Sequence, residues 1–561
     1  MSHLAIGPAQ RVSPARRLFQ RELDHYPDQG PRYLQLALVV LATVILYYEN
    51  YIGGAVATQI LSDLDMTFGY YVGILVVSNA LGAFASLAAG LADKVGRANL
   101  VAYGLGLTGV ITLFGFPNAG SKTTFAVFLA LLGVVEGIIL VATPALVRDF
   151  SPQLGRASAM GFWTLGPVVG SLVVSMVSSN TLQSRPRWQD QFVICGVVGL
   201  IVFVLALVGL RELAPKIRDQ LMVSVQDKAL IEARAKGIDV AASLERPWSR
   251  VVTPPIVLSA LAISLFLLGY YTAVAFFPIF FQTVQGFTAD QANGLLNYYW
   301  ASNAISLIVV GALSDRLRVR KPFMLLGALG GIAFSLALYS QTPQTDVSYR
   351  AWATILIGVG VYGGLVFATW MASFTETVEE KSPALIAHGL AVWGWLLRVV
   401  VAVSFLLLPH VISSVTPLVE HGPAVQAAAA RQAAYLPTVQ AHQGYLNSVT
   451  ERFPDGNVPP DVATVIVETV GAEVAQVLTT PQGKADFALL GEVGAEVQEA
   501  QEESPRQWQR WFLICLLGQI LFLPAVFLLR GPWSARKARE QAEEHERLVQ
   551  REMSTLSPQP V

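Results

Sequence analysis

Long apolar runs alternate with short polar segments along most of this chain of 561 residues. Twelve of the runs have about 20 residues, which is the length that a helix needs to cross the hydrocarbon of a bilayer. The runs are residues 34–58, 70–92, 99–116, 123–147, 156–178, 191–211, 255–284, 291–314, 322–341, 351–374, 384–410 and 508–530. The pattern predicts an all-α integral membrane protein with twelve transmembrane helices.

The second half of the chain repeats features of the first. The Tyr-Tyr pair that starts at Tyr47 recurs at Tyr270, and the W-Q-x-x-F-x-I-C pattern at Trp188 recurs at Trp508. The second interval is much longer than the first, so an insertion separates the repeated elements of the second half. We therefore predict two six-helix pseudo-repeat halves, with an acidic helical extracytoplasmic insertion at 411–507 between helices 11 and 12.

Lysine and arginine positions predict the orientation of these helices. Basic residues concentrate in both tails, in the central linker and in the connections after the second, fourth and eighth runs, and such segments stay in the cytoplasm. We predict a multi-pass protein of the plasma (bacterial inner) membrane with both termini cytoplasmic and no cleavable signal peptide. The predicted segments are an N-terminal tail 1–33, a six-helix half 34–211, a cytoplasmic linker 212–254, helices 7–11 at 255–410, the insertion 411–507, helix 12 at 508–530 and a C-terminal tail 531–561.

The composition supports a membrane protein and argues against several other classes. Only 14% of the residues are charged and the net charge is −1, which does not suggest a nucleic-acid partner. Cys195 and Cys515 both lie inside apolar runs, where they are expected to be buried hydrophobic residues and not a disulfide or metal site. There is no phosphate loop, zinc spacing or nucleophile elbow, so we predict neither an enzyme nor a cofactor.

Two segments outside the predicted helices have alternative interpretations. The insertion at 411–507 carries twelve acidic residues against four basic ones, and parts of it have helical composition. We interpret it as an outer cap or as a docking surface for an extracytoplasmic protein partner; a flexible loop is the alternative. In the linker 212–254, the stretch Lys216–Lys236 is either a helix on the membrane surface or a solvated tether.

A polar turn joins the second and third runs. It reads A-G-L-A-D-K-V-G-R-A-N from Ala89, and a weaker copy reads G-A-L-S-D-R-L-R-V-R-K from Gly311, with Arg318 in place of the loop glycine. Both resemble the loop between helices 2 and 3 of the major facilitator superfamily of secondary transporters. The resemblance covers about 34–410 and 508–530, and it implies a substrate site between the two halves near the middle of the membrane.

The same resemblance implies that charged residues at the inner helix ends control gating. Asp149 ends the fourth run close to the expected position of Arg97, so an Arg97–Asp149 pair would latch the inner ends of the first half. Glu376 holds the equivalent place in the second half. The residues expected to act in gating are Asp93, Gly96, Arg97, Asp149, Asp315, Arg316 and Glu376.

The fifth run contains G-P-V-V-G-S, with Gly166, Pro167 and Gly170. It resembles the G-P-x-x-G-G motif of proton-coupled antiporters, with Ser171 in place of the last glycine. Small residues let helices approach closely, and proline weakens the helix where it must bend. We expect these three residues to act in gating; an ordinary packing face is the alternative.

Three charged residues lie deep in apolar runs, namely Glu49, Glu136 and Arg398. Each would cost roughly 2.5 kcal/mol or more if it faced lipid, so each is expected to face a cavity or one of the others. We expect the two glutamates to carry protons and Arg398 to anchor an anionic group, because its planar fork suits carboxylate or phosphate. Arg398 also resembles the basic residue in helix 11 of some organic-anion exchangers. A structural ion pair is the alternative.

Aromatic residues cluster in the first, seventh and tenth runs, which line the cavity in the superfamily. Adjacent tyrosines point to different helix faces, so at most one of each pair is expected to face the cavity. Helix packing or an interface belt is the alternative. The candidates for substrate contact are Asn50, Tyr47, Tyr48, Tyr270, Tyr271, Tyr362 and Trp370.

Together these features predict a proton-coupled secondary active transporter that works by alternating access and exports an organic anion or amphipathic small molecule by antiport. Its partners would be that substrate, protons and the lipid bilayer. A carboxylate or solute uptake symporter is the alternative within the class. From a different class, the chain would be a membrane receptor or assembly subunit that does not transport and uses its outer domain.

Overall fold

Helices dominate the structure, a computed structural model that describes residues 19, 21–86, 95–150, 155–215, 217, 245, 247–382, 385–453 and 457–556. The first half contains α1 (Gln29–Ala55), α2 (Ala57–Asp63), α3 (Phe68–Ala85), α4 (Arg97–Val110), α5 (Lys122–Phe150), α6 (Gly155–Thr181) and α7 (Trp188–Gly209). The second half contains α8 (Pro247–Val251), α9 (Pro254–Phe266), α10 (Leu268–Thr283), α11 (Ala289–Leu317), α12 (Lys321–Gln341), α13 (Tyr349–Glu379) and α14 (Ile386–Val411).

Eleven membrane-spanning candidates, by length and apolar composition, are found in the described part of the chain. The predicted first span is α1 followed by the short α2, and the predicted seventh span is α9 and α10 in series. The predicted fifth span is present as α6, with 27 residues, but it is not among the eleven.

The predicted insertion forms a series of short helices. They are α15 (Val415–Glu420), α16 (Gly422–Arg431), α17 (Leu436–Ala441), α18 (Gln443–Arg452), α19 (Pro460–Val470), α20 (Ala472–Thr479) and α21 (Pro481–Glu492). The chain then continues as α22 (Gly494–Phe522), which runs unbroken into the last predicted span, followed by α23 (Ala525–Leu528) and α24 (Ala535–Leu556).

A small buried centre holds part of the insertion together. Leu418, Val425 and Val497 form an apolar cluster that joins α15, α16 and α22. Beside it, the carboxylate of Asp486 accepts two hydrogen bonds from Arg431, at 3.1 Å and 2.6 Å. The described part of the insertion is therefore a packed set of short helices, and its role as a cap or docking surface stays a prediction.

The insertion is also tied to the membrane helices. Val415 is fully buried in the main apolar core, together with Phe68 of the first half and Phe276 of the second. Gln507 of α22 accepts a hydrogen bond from the backbone N–H of Ser414 at 3.0 Å. The first helix of the insertion is therefore part of the core, and the predicted boundary at residue 411 falls before that buried helix.

A two-residue parallel pairing ties the start of the chain to the end of the first half. Strand β1 (Glu22–Leu23) pairs with β2 (Glu212–Leu213), with Glu22 opposite Glu212. Arg21 is buried there and donates a hydrogen bond to the carbonyl oxygen of Ala206 at 2.9 Å. This connection fixes the N-terminal segment against the end of α7.

Candidate functional site

Charged groups from both halves meet in the cleft between them. Glu136 lies on α5 and Asn50 on α1, and the Asn50 side chain forms a hydrogen bond with the Glu136 carboxyl group. Arg398 on α14 belongs to the other half, and its charge acts on Glu136. Glu136 is half-buried and Arg398 is exposed. The arrangement brings together three residues that the sequence identified separately.

Tyrosines surround this charged pair. Tyr47 and Tyr271 both interact with Glu136 and Arg398, which places one tyrosine from each half beside the charges. The Tyr47 ring packs on Tyr51 with centroids 5.4 Å apart, and Tyr271 packs on Tyr270 at 5.2 Å. Tyrosine hydroxyls donate and accept hydrogen bonds, so this wall suits the polar part of a small molecule.

The structure places Glu49 apart from Glu136 and Arg398, between α4 and α7. The residue lies two positions after Tyr47, which is roughly 200° around a helix, so the two side chains point in nearly opposite directions. Its Oε1 lies against Gly199 of α7 and its carboxyl group is beside Thr108 of α4. Glu49 is buried and neither carboxyl oxygen has a hydrogen-bond partner among the described residues. Proton coupling at Glu49 stays a prediction, without access from the cleft.

Three of the predicted aromatic contacts also lie elsewhere. Tyr48 is fully buried beside Cys195, on the side of α1 that faces α7. Trp370 is buried inside the second half, where its Nε1 donates to Ser259 Oγ at 2.9 Å. Tyr362 stacks on Phe334 of α12 at 5.6 Å, away from the cleft. The repeat of 3.6 residues per turn did not predict which side of its helix each of these residues occupies, because every side of α1 and α13 is rich in apolar residues.

The two halves are joined near the junction of α1 and α2 and near the connection between α10 and α11. The four hydrogen bonds found there use only amide, hydroxyl and backbone groups, and no charged side chain. We refer to this region as the closed end. The bonds run from Asn293 Nδ2 to Ala55 O (2.9 Å), Asn297 Nδ2 to Ser179 Oγ (3.0 Å), Thr58 Oγ1 to Gln282 Oε1 (2.9 Å) and Phe68 N to Thr416 Oγ1 (3.0 Å).

At the opposite end, the predicted Arg97–Asp149 contact is present. Arg97 NH1 donates to Asp149 Oδ2 at 2.8 Å, and the two side chains are 16% and 7% exposed. Gly96 precedes Arg97 with φ +95°, a conformation that favours glycine, and the Arg97 backbone N–H donates to Glu212 Oε2 at 3.0 Å. Asp93 lies outside the described residues. The sequence motif did not include Glu212, which follows α7 and approaches the turn only through the β1–β2 pairing.

A sequence comparison supports the resemblance. The family model described as Major Facilitator Superfamily matches residues 39–404 of the chain. The chain belongs to the major facilitator superfamily. This membership places it with transporters and not with enzymes.

Named relatives of this superfamily member include a probable anion transporter 3, chloroplastic, of Oryza sativa subsp. japonica, which is 25% identical over 319 residues, 54% of this chain and 59% of that protein. An MFS-type efflux pump of Mycolicibacterium smegmatis is 26% identical over 326 residues, 54% of this chain and 68% of that pump. The match therefore spans about three fifths of the length of the rice relative.

Solved structures show the same fold. The crystal structure of a bacterial homolog to human lysosomal transporter Spinster, in an inward-facing and occupied conformation, aligns with a TM-score of 0.57 and 16% identity. The alignment covers 90% of this chain and 100% of that chain. A D-xylose-proton symporter aligns with a TM-score of 0.52 and 14% identity, over 67% of this chain and 89% of that one.

The second superfamily loop motif uses a different arginine from the one expected. Arg320 contacts Asp315 at 2.6 Å and Glu376 at 3.0 Å, whereas Arg316 is exposed on α11. Arg320 lies just before α12, so it reaches back to the end of α11 and across to α13. The expected junction of Asp315 and Glu376 is present, and Arg320 replaces Arg316 as its basic member.

The glycines of α6 allow close contact with α1. A methyl group at Gly166 would meet Thr43, and one at Gly170 would meet Tyr47 and the carbonyl oxygen of Val44. The Ser171 hydroxyl, in place of the last motif glycine, donates to Pro167 O at 2.9 Å. Close packing is therefore one role of these residues, and it positions Tyr47 at the edge of the cleft.

Proposed function

We propose that this chain is a proton-coupled secondary transporter that exports a small organic anion by antiport through alternating access. The observation that carries this proposal is the meeting of Glu136 and Arg398, from opposite halves, in a cleft lined by tyrosines. The names of the anion transporter and efflux pump relatives support the same substrate class and direction. The chain would lie in a bacterial inner membrane with both termini cytoplasmic.

Arg398 would bind the acidic group of the substrate. A guanidinium forms two parallel hydrogen bonds with a carboxylate, and such charge-assisted bonds are about twice as strong as neutral ones. Because Arg398 lies on the second half and Tyr47 on the first, a bound anion contacts both halves at once. Binding then favours the conformation in which both sets of contacts are made.

Glu136 would exchange the proton. Its carboxylate offsets part of the Arg398 charge, so an arriving anion competes with it for the same guanidinium. Protonation of Glu136 removes its attraction for Arg398 and frees the guanidinium for the substrate, and loss of the proton restores that attraction. A proton can drive transport only through such a difference between states.

The test uses purified protein in liposomes that contain a pH-sensitive dye. Adding a transported organic anion is expected to move protons in the wild type, and Glu136→Gln should abolish this movement while substrate exchange continues. Arg398→Gln should weaken anion binding by at least tenfold, because it removes a charge-assisted hydrogen bond. Glu49→Gln is the matched control, since it replaces a buried glutamate that faces away from the cleft.

Two results would reject the proposal. If no organic anion moves protons or is itself transported, the chain is not a transporter of this class, and a receptor that acts through the insertion becomes the better hypothesis. If Glu49→Gln, and not Glu136→Gln, uncouples the proton flux, the coupling site has been assigned to the wrong carboxyl group.

A further inference from the structure

A cavity lies between the two halves at the closed end, next to the Glu136–Arg398 site. Tyr51, Ser171, Ser175, Asn293 and Trp300 are among the residues that line it, so four helices contribute to its wall. Because the Tyr51 ring packs on Tyr47, which lies beside Arg398, the cavity adjoins the charged site across a single pair of rings.

Asn293, which lines this cavity, has an unused hydrogen-bond acceptor. The residue is fully buried, and its Nδ2 donates to Ala55 O at 2.9 Å and to Ala289 O at 2.8 Å. Both amide protons are therefore occupied. Its Oδ1 is buried and has no hydrogen-bond partner among the residues that the structure describes. Leaving a buried carbonyl oxygen without a partner costs about 1–3 kcal/mol, so a ligand group that donates a hydrogen bond there is favoured.

The other polar groups at the cavity are also uncharged. Ser171 and Ser175 donate their hydroxyl protons to the carbonyl oxygens of Pro167 and Leu172, which leaves their oxygen lone pairs as acceptors. The buried hydroxyl of Tyr270 lies beside Ser171 and interacts with it. The lining therefore offers acceptors together with the hydroxyl and indole donors of Tyr51 and Trp300, and the residues that line it carry no charge.

We propose that this cavity is a second subsite, which binds an uncharged hydroxyl group of the transported molecule while Arg398 holds its acidic group. The substrate class is then a hydroxylated organic acid. This inference rests on the proposed function and makes it more specific. Asn293 also bonds across the two halves, so a hydroxyl group bound to its Oδ1 would stabilise the residue that holds the closed end together.

The test compares acids that differ only by hydroxyl groups. The probes are malate against succinate, lactate against propionate, and gluconate against hexanoate, each measured by the shift in thermal unfolding of the full-length protein in detergent. In at least one pair we expect the hydroxylated acid to bind about tenfold more tightly to the wild type, because it satisfies a buried acceptor. Asn293→Leu should reduce this ratio to about one.

Asn303→Leu is the matched control, because Asn303 is a buried asparagine of the same helix whose Nδ2 donates to Gly360 O at 3.0 Å, away from the cavity. It should keep the preference. If Asn293→Leu does not fold, Val174→Ile is used in its place, because it fills the cavity with one additional methylene group. This variant should also lose the preference for the hydroxylated acid.

The possible results separate this inference from the proposed function. If acids bind through Arg398 but hydroxyl groups make no difference in any pair, or if both cavity variants keep the preference, the subsite is rejected and the transporter proposal stands. If Arg398→Gln does not weaken the binding of any acid, the proposed function itself fails.

Discussion

Arg318 occupies the position in the second loop motif that Gly96 holds in the first, and both residues have a positive φ, +56° and +95°. The Arg318 conformation ends α11, where the backbone N–H of Val319 donates to Ser314 O at 3.2 Å. Glycine adopts this left-handed region freely, whereas an L-residue with a side chain pays roughly 1 kcal/mol. The two turns therefore share a positive φ, while their ψ values differ: 31° at Arg318, in the left-handed helical region, and 136° at Gly96.

Replacing Arg318 by glycine should stabilise the second loop. Because the left-handed backbone is retained and the Arg318 side chain is exposed, we expect a gain of about 1 kcal/mol, seen as a higher unfolding temperature in detergent. Arg316→Gly is the control: this residue is exposed and helical, so glycine there should cost about 1 kcal/mol. A lower unfolding temperature for Arg318→Gly would show that its side chain has a stabilising role.

The Arg97–Asp149 pair should contribute to both stability and turnover. Asp149→Asn removes a buried carboxylate that accepts a hydrogen bond from Arg97, so we expect a loss of about 1–3 kcal/mol in stability and slower transport. Asp190→Asn is the comparison, because Arg187 and Asp190 are equally close at 2.8 Å but Arg187 is 74% exposed. Exposed pairs contribute only about 0–1 kcal/mol. Equal effects of the two substitutions would contradict a latch.

The sequence was sufficient to predict a helical membrane protein, because apolar runs longer than a soluble helix needs recur along the chain. The division into two halves and one insertion, which the repeated motifs indicated, stays a prediction. Periodicity did not show that α15 is buried in the core, because its buried residues, including Val415 and Val419, are too few to form a run. Similarly, the break between α9 and α10 falls at Leu267, whereas the neighbouring Gly269 lies inside α10 and does not mark it.

Asp486 should make the insertion sensitive to acid. Hydrogen bonds from Arg431 and then Gln432 hold the pKa of the Asp486 carboxyl group well below its usual value. A carboxyl group with a lowered pKa in the folded state stabilises the fold above its unfolded pKa, and this contribution is lost as the pH falls towards the folded pKa. We therefore expect no effect of this group between pH 6 and 8.

Below about pH 4, backbone amides of α16 and α21 should exchange hydrogen faster, after correction for intrinsic rates. Asp486→Asn should remove the acid-dependent step, because it has no proton to gain. If that variant keeps the same step between pH 4 and pH 2, other carboxyl groups in the insertion are responsible.

The buried position of α15 predicts how far the insertion can be trimmed. Replacing residues 422–492 with a short Gly-Ser linker should leave a folded membrane protein, because α15 and α22 keep their mutual contact through Leu418 and Val497. Replacing 415–503 also removes the buried Val415, at a cost of about 1.5–3 kcal/mol for that side chain alone. Equal unfolding temperatures for the two deletions would show that α15 does not support the core.

The candidate site could be predicted by residue type but only partly by position. The expectation for buried charges, that ionised groups are excluded from lipid, selected Glu136 and Arg398, and the structure brings these two residues close enough for their charges to interact. The same expectation applied equally to Glu49, because a buried position beside Gly199 also keeps its carboxyl group away from lipid. Asn293 was missed because its importance comes from an unpaired atom, and pairing is a property of the folded chain.

Helix α22 gives the protein a built-in orientation marker. Its 29 residues extend about 43 Å from the insertion into the last span, and bonds from Gln507 to Ser413 and Ser414 fix it where it leaves the insertion. Many small membrane proteins lack features outside the detergent micelle, so their images are difficult to align in electron cryomicroscopy. Here a continuous helix joins the insertion to the last span. The tilt of this helix relative to the micelle would report directly on the conformation of the second half.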